Sequence, residues 1–132
     1  MAGLASARMI IVGTGDVQPP TPQATGTGEL WECLQFAADG VRTASLFFGP
    51  GARTRWHTHE HGQLLQVVAG SGVVCTRSGE RRTISAGDTV WAPPDEEHWH
   101  GAAPDSFLVH TAVSLGAAVA AAEVTAAEYD PH

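Results

Sequence analysis

Apolar and polar residues alternate along this chain in short runs, bounded by Gly, Pro, Asp and Ser. Successive side chains of a strand point to opposite faces, so such alternation predicts half-buried β-strands. Strands are expected near Leu30–Phe36, Val41–Phe48, Arg53–Thr58, Gln63–Val68, Val73–Arg77, Arg81–Ile84, Thr89–Ala92, His98–His100 and Phe107–Val113. Met9–Val12 reads as a short edge strand, joined to the main body by the Pro/Gly/Thr-rich segment Gln18–Gly28. Ser78-Gly79-Glu80 has the character of a hairpin tip, and Ser85-Ala86-Gly87-Asp88 that of a second turn. Regular short strands without intervening helical periodicity predict an all-β sandwich or barrel. The helix signal lies at the end, where Leu115–Glu123 is alanine-rich and Thr125-x-x-Glu128 has capping-box spacing. The expected division is an N-terminal segment over residues 1–29, a barrel over 30–116, and a short helix and tail over 117–132.

Composition sharpens this picture. With 132 residues the chain fits one domain, and 43% hydrophobic residues are enough for a core. The formal net charge is −7, and all seven basic residues are arginines without a basic run. Phosphate backbones need clustered cations, so nucleic acid is not the expected partner. The apolar run Met9–Val12 is too short for a signal-peptide core, and no stretch is long enough to span a bilayer. Cys33 and Cys75 form no Cys-x-x-Cys motif and read as reduced thiols, which suggests a cytoplasmic protein.

Histidine changes the picture most. Six of the seven fall between positions 57 and 110. His57 and His59, one residue apart on a strand, present both imidazoles to one face. Gln63 follows a Gly-containing bend, and His98 opens another strand after Pro93-Pro94-Asp95. Three neutral imidazoles and an amide oxygen make a divalent-metal site with positions left for water or substrate. Metal-free polar lining is the plainer alternative for these four residues.

The spacing Gly51-x5-His57-x-His59-x3-Gln63-x6-Gly70 resembles the first motif of the cupin superfamily, with Gln in place of the usual Glu. Gly87-x5-Pro93-x-Asp95-x2-His98 resembles the second, with Asp at the usual Gly and Ala102 at the usual Asn. The resemblance implies a cupin double-stranded β-helix, or jelly-roll, barrel. Within the superfamily, Gly51–His59, Gly62–Gln63 and His98–Pro104 are similar to the bacterial manganese-dependent cupin hydroxynitrile lyases. That likeness implies His57, His59, Gln63 and His98 as metal ligands and His110 as the residue that moves the proton. It also implies pocket positions at Ala44, Leu46 and Ser114. The implied metal is divalent, manganese first, with iron, nickel or zinc as alternatives. A neutral Gln63 leaves the ion its full positive charge, which lowers metal affinity and makes a bound hydroxyl or water more acidic.

Other residues keep two readings. His100, two positions after His98, is a pocket wall or a partner behind the ligands. His110 is a general base or a core histidine. His61 reads as a loop residue, His132 as a disordered end, and Asp95-Glu96-Glu97 as a solvated turn. Trp56 and Trp99 alternate with the ligands and should face away from them; Trp91 fits either face. By parity Arg53 and Arg55 share the face of His57, and either a substrate carboxylate or a structural ion pair would explain them. The leading function is a metal-dependent lyase acting on a small oxygen-bearing molecule, most specifically cleaving or forming cyanohydrins. The alternatives are an iron- or nickel-dependent dioxygenase, an isomerase or cyclase, and a non-catalytic ligand-binding cupin. No helix-turn-helix segment follows the barrel, which speaks against a transcription factor. A small-molecule substrate and a homodimer or homotetramer are the expected partners.

Overall fold

The computed structural model describes residues 8–131, so the reading of His132 lies outside the described residues. Among the described residues a 3₁₀ turn (Thr14–Asp16), ten strands and one short α-helix follow in order. The strands begin with β1 (Thr21–Pro22), β2 (Leu30–Ala38), β3 (Val41–Phe48), β4 (His57–His59) and β5 (Gln63–Thr76). Then come β6 (Arg81–Ser85), β7 (Thr89–Ala92), β8 (His98–Ala102), β9 (Leu108–Leu115), β10 (Ala118–Ala120) and the helix α1 (Ala126–Tyr129). All pairings are antiparallel and give one curled sheet in the order β1-β2-β3-β9-β5-β8-β4-β10, with β6 and β7 also on β5.

Strand β5 is the hinge of this architecture. Its first half pairs with β7 and β9, and its second half with β6 and β8. The two expected strands Gln63–Val68 and Val73–Arg77 are thus one. The intervening glycines mark a corner rather than a turn. Gly70 sits at φ 79°, and a Cβ there would meet the Phe107 carbonyl oxygen at 1.9 Å. A register shift between Val67 and Ala69 against β9 adds the bend that lets one strand serve both halves of the barrel.

Inward positions of these strands build a core of Leu30, Phe48, Ala52, Val67, Ile84, Ala102 and Leu108. A second cluster lies on the outer side, where Trp56, Val73, Cys75 and Trp99 are covered by Val124 and Tyr129. Trp56 and Trp99 therefore face away from the histidines, as their parity predicts. The helix is closed by the expected capping box between Thr125 and Glu128, and it lays Tyr129 against Trp99 at a centroid distance of 5.7 Å.

Two expectations fail in the chain's flanks. Met9–Val12 forms no strand and is largely exposed; the edge of the sheet is instead Thr21–Pro22 on Glu32 and Trp31. The alanine-rich stretch is not helical, because Ala118–Ala120 pairs with His57–His59. Tertiary pairing overrides the weak helical preference of alanine there. Both cysteines are unpaired thiols. No helix among the described residues is long and apolar enough to cross a membrane.

Candidate metal and active site

Sheet register brings the histidines together. His57 on β4 pairs directly with His98 on β8. Val74 of β5 pairs with His100, and Val67 of β5 with His110. Inside the barrel, His57 and His98 have centroids 4.3 Å apart, His57 and His59 5.1 Å, and His57 and His100 5.2 Å. His59, Gln63, His98, His100 and His110 are all buried.

Hydrogen bonds set the ring tautomers. Nδ1 of His57 lies 2.7 Å from the Arg55 carbonyl, and Nδ1 of His98 lies 2.8 Å from that of Glu96. Each Nδ1 therefore carries the proton and donates it, which leaves each Nε2 a lone pair. His98 Nε2 lies 3.1 Å from Gln63 Oε1, while the Gln63 amide nitrogen donates to Ser114 Oγ at 3.1 Å. Two acceptors thus face one another, and a shared cation resolves that conflict.

Other ring atoms tell the same story. Both nitrogens of His59, Nε2 of His100 and Nδ1 of His110 are buried without a hydrogen-bond partner. Leaving such atoms unsatisfied costs about 1–3 kcal/mol each. Nitrogens of His57, His98 and His100 all lie within 4.8 Å of one another. This three-imidazole cluster fits a divalent metal site. It shares His57 and His98 with the expected ligand set and includes His100 as well. His59 remains in ring contact with His57 and His98.

Burial also keeps the rings neutral, as metal ligation requires. Desolvation first, then the neighbouring His98, draws His57 down to about 3 and His59 to about 4. Desolvation likewise lowers His98 and brings His110 to about 4. His100 falls well below its ordinary value, by burial first and the surrounding imidazoles second.

His110 stands behind this cluster. Its Nε2 lies 3.0 Å from His100 Nδ1, and its ring packs on Phe48 at 5.2 Å. His100 thus lies between His110 and the other imidazoles, and parity with His98 was the signal for its inward direction. A cavity of about 270 Å³ opens onto His57, His59, Gln63 and His100. Leu46 and Ser114 line it as well, whereas Ala44 is buried in β3 and is not on its wall. Arg42 and Glu32, whose ion pair spans β2 and β3, and Arg55 are also on its wall. A larger cavity of about 510 Å³ reaches His98 from the side of β6 and β7, and Trp91 stands on its wall. His61 lies exposed beside Glu60, as a loop residue should. In the turn before His98, Glu97 pairs with Arg77.

Parity fails at Arg53. Residues 54–56 are not paired as a strand, and the chain turns so that Arg53 stacks on Tyr129 at 4.6 Å, outside the barrel. Thr54 went unnoticed in the sequence; its hydroxyl accepts the His100 backbone N–H at 3.2 Å and so ties the loop to β8.

Comparison with known proteins now bears on this geometry. The cupin domain family matches residues 46–111. A cupin-like protein from Thermotoga maritima is 33% identical, with 94% of this chain and 96% of that one covered, at a TM-score of 0.80. The chain belongs to the cupin family. An (R)-mandelonitrile lyase of Granulicella tundricola is 51% identical over 73 residues, which are 55% of this chain. That match spans only 56% of the lyase's own length. A polyketide cyclase of Streptomyces resistomycificus shares the fold, with 18% identity, 92% of this chain and 89% of that one covered, and a TM-score of 0.70.

Proposed function

We propose that this chain is a metal-dependent cupin enzyme acting on a small oxygen-bearing molecule, in its sharpest form a lyase that cleaves or forms cyanohydrins. The carrying observation is the buried His100–His110 pair, continuous with the imidazole cluster and opening on the 270 Å³ cavity. The local likeness to a mandelonitrile lyase supports the same reading.

His57, His59, Gln63 and His98 are the proposed ligands, with His100 beside them. When bound, a divalent metal supplies Lewis acidity to the substrate hydroxyl, and manganese is the proposed ion. The rest falls to the imidazole pair. With the shared proton on His100 Nδ1, that ring donates to His110 Nε2 and keeps a lone pair on its own Nε2. It then accepts the hydroxyl proton, and His110 takes the shared one. The oxygen's electrons form the carbonyl as the carbon–carbon bond breaks, and its electron pair leaves with cyanide. In the reverse direction the pair returns the proton.

The test is release of benzaldehyde from mandelonitrile by manganese-loaded protein, with metal-stripped protein as control. Cleavage well above the control is expected, and His110→Ala should lower kcat by about 10²-fold or more. In His57→Ala, metal content should fall below a tenth of the parent's. Absence of cleavage with manganese verified as bound would overturn the lyase reading, and full metal occupancy in His57→Ala would overturn the ligand set.

A further inference from the structure

Two arginines precede His57, and the structure gives them opposite fates. All three guanidinium nitrogens of Arg53 are used: Nε and Nη2 donate to the Val124 carbonyl and Nη1 to that of Gly51. Its plane also lies over Tyr129. Arg53 is a clamp for the segment that leads to α1. Arg55 is held only by its Nε, which donates to the Ala121 carbonyl at 2.7 Å. That bond holds the guanidinium beside the 270 Å³ cavity, and among the described residues neither Nη group has a hydrogen-bond or ion-pair partner.

The charge balance on that wall is simple. Its one carboxylate, Glu32, is taken by two hydrogen bonds from Arg42. Apart from Arg42, Glu32 and Arg55, the lining side chains carry no formal charge at pH 7 with histidine neutral. No described carboxylate forms an ion pair with Arg55. Among the described residues Arg55 is therefore the uncompensated charge of the cavity, and it is positive in a chain of net charge −7. A guanidinium whose Nη pair is free presents two parallel N–H donors, the spacing that matches a carboxylate's two oxygens.

We propose that Arg55 is the anion-recognition residue of this cavity, and that the natural ligand carries a carboxylate. The carboxylate docks on the two Nη groups, and the ligand's oxygen function faces the histidines. This assignment goes beyond the lyase reading and rests on the cavity wall, whichever bond the enzyme breaks. It makes Arg55 a determinant of specificity and predicts selection against neutral analogues of the same shape.

The test is a titration of metal-stripped protein, followed by NMR chemical shifts, with mandelate and with mandelamide. The two probes have nearly the same shape and differ in charge. Without metal, no bound cation competes for the carboxylate, and no turnover is involved, so the outcome is independent of the cyanohydrin assay. Mandelate should bind at least tenfold tighter than mandelamide to the parent protein. Arg55→Gln should bring that ratio close to one, Arg55→Lys should restore part of it, and Arg82→Gln, on an exposed strand, should leave it unchanged. Equal binding of the two probes by the parent protein would overturn the proposal without any variant. So would an undiminished ratio in a folded Arg55→Gln protein.

Discussion

Taking an imidazole out of water disfavours its charged form, and His57, His59 and His110, at about 3, 4 and 4, carry that cost in their titration. In the unfolded chain each returns to about 6.5. Between those values the unfolded state binds more protons than the folded one. Stability is therefore complete above about pH 6.5 and is lost as pH falls toward the folded values. His110 is fully buried, and its share across that window is on the order of 3 kcal/mol. The urea midpoint of metal-stripped protein should be flat above pH 7 and fall steeply between about 6.5 and 4. A midpoint unchanged down to pH 4.5 would show that these rings are not held neutral. At this scale residue type and spacing singled out His57, His59, Gln63 and His98, and the structure brings the three rings into contact with Gln63 beside His98. The sequence could not separate Arg53 from Arg55, since the parity argument needs an unbroken strand and the chain bends at 54–56.

Elements were legible where alternation alone decides them. Val41–Phe48 has the bounds expected from its pattern, and its two buried residues, Ala44 and Phe48, share one face. Ala118–Ala120 was not legible, because its strand conformation comes from pairing with β4 and not from its own side chains. The gap at 69–72 between two expected strands has a related cause. A glycine looks the same in sequence whether the chain reverses there or passes close to another backbone. At Gly72 the close approach is to the Gly101 carbonyl oxygen, 2.2 Å from where a Cβ would stand. Gly70→Ala combines such a clash with a left-handed φ. It should cost about 3 kcal/mol or more, visible as a large drop in Tm. A loss under 1 kcal/mol would mean that the corner can relax, and that β5 is not held there.

Over the whole molecule, apolar side chains remain outside the barrel. Phe47 and Phe107 stack at 6.2 Å on its surface, and Val68, Trp91, Met9 and Ile11 are at least half exposed. Surfaces of this kind mark contacts with other chains. A homodimer, or a tetramer built from two, is the expected state by size-exclusion chromatography with light scattering. A monomer at micromolar concentration would refute it.

The strand that joins the two halves of the barrel also spaces its chemistry. Gln63 stands at the start of β5, and Val74 and Thr76, near its end, pair with His100 and His98. The strand acts as a ruler, with a proposed ligand at one mark and the partners of two imidazoles at the others. Because side chains alternate, inserting or deleting one residue between those marks would turn one end inside out. Such a change would strip the site and the core together, so β5 cannot tolerate a change of length. The hairpin tip at 77–80 lies beyond the last mark. Variation in length among relatives should therefore collect at that tip and leave the fourteen residues of β5 untouched.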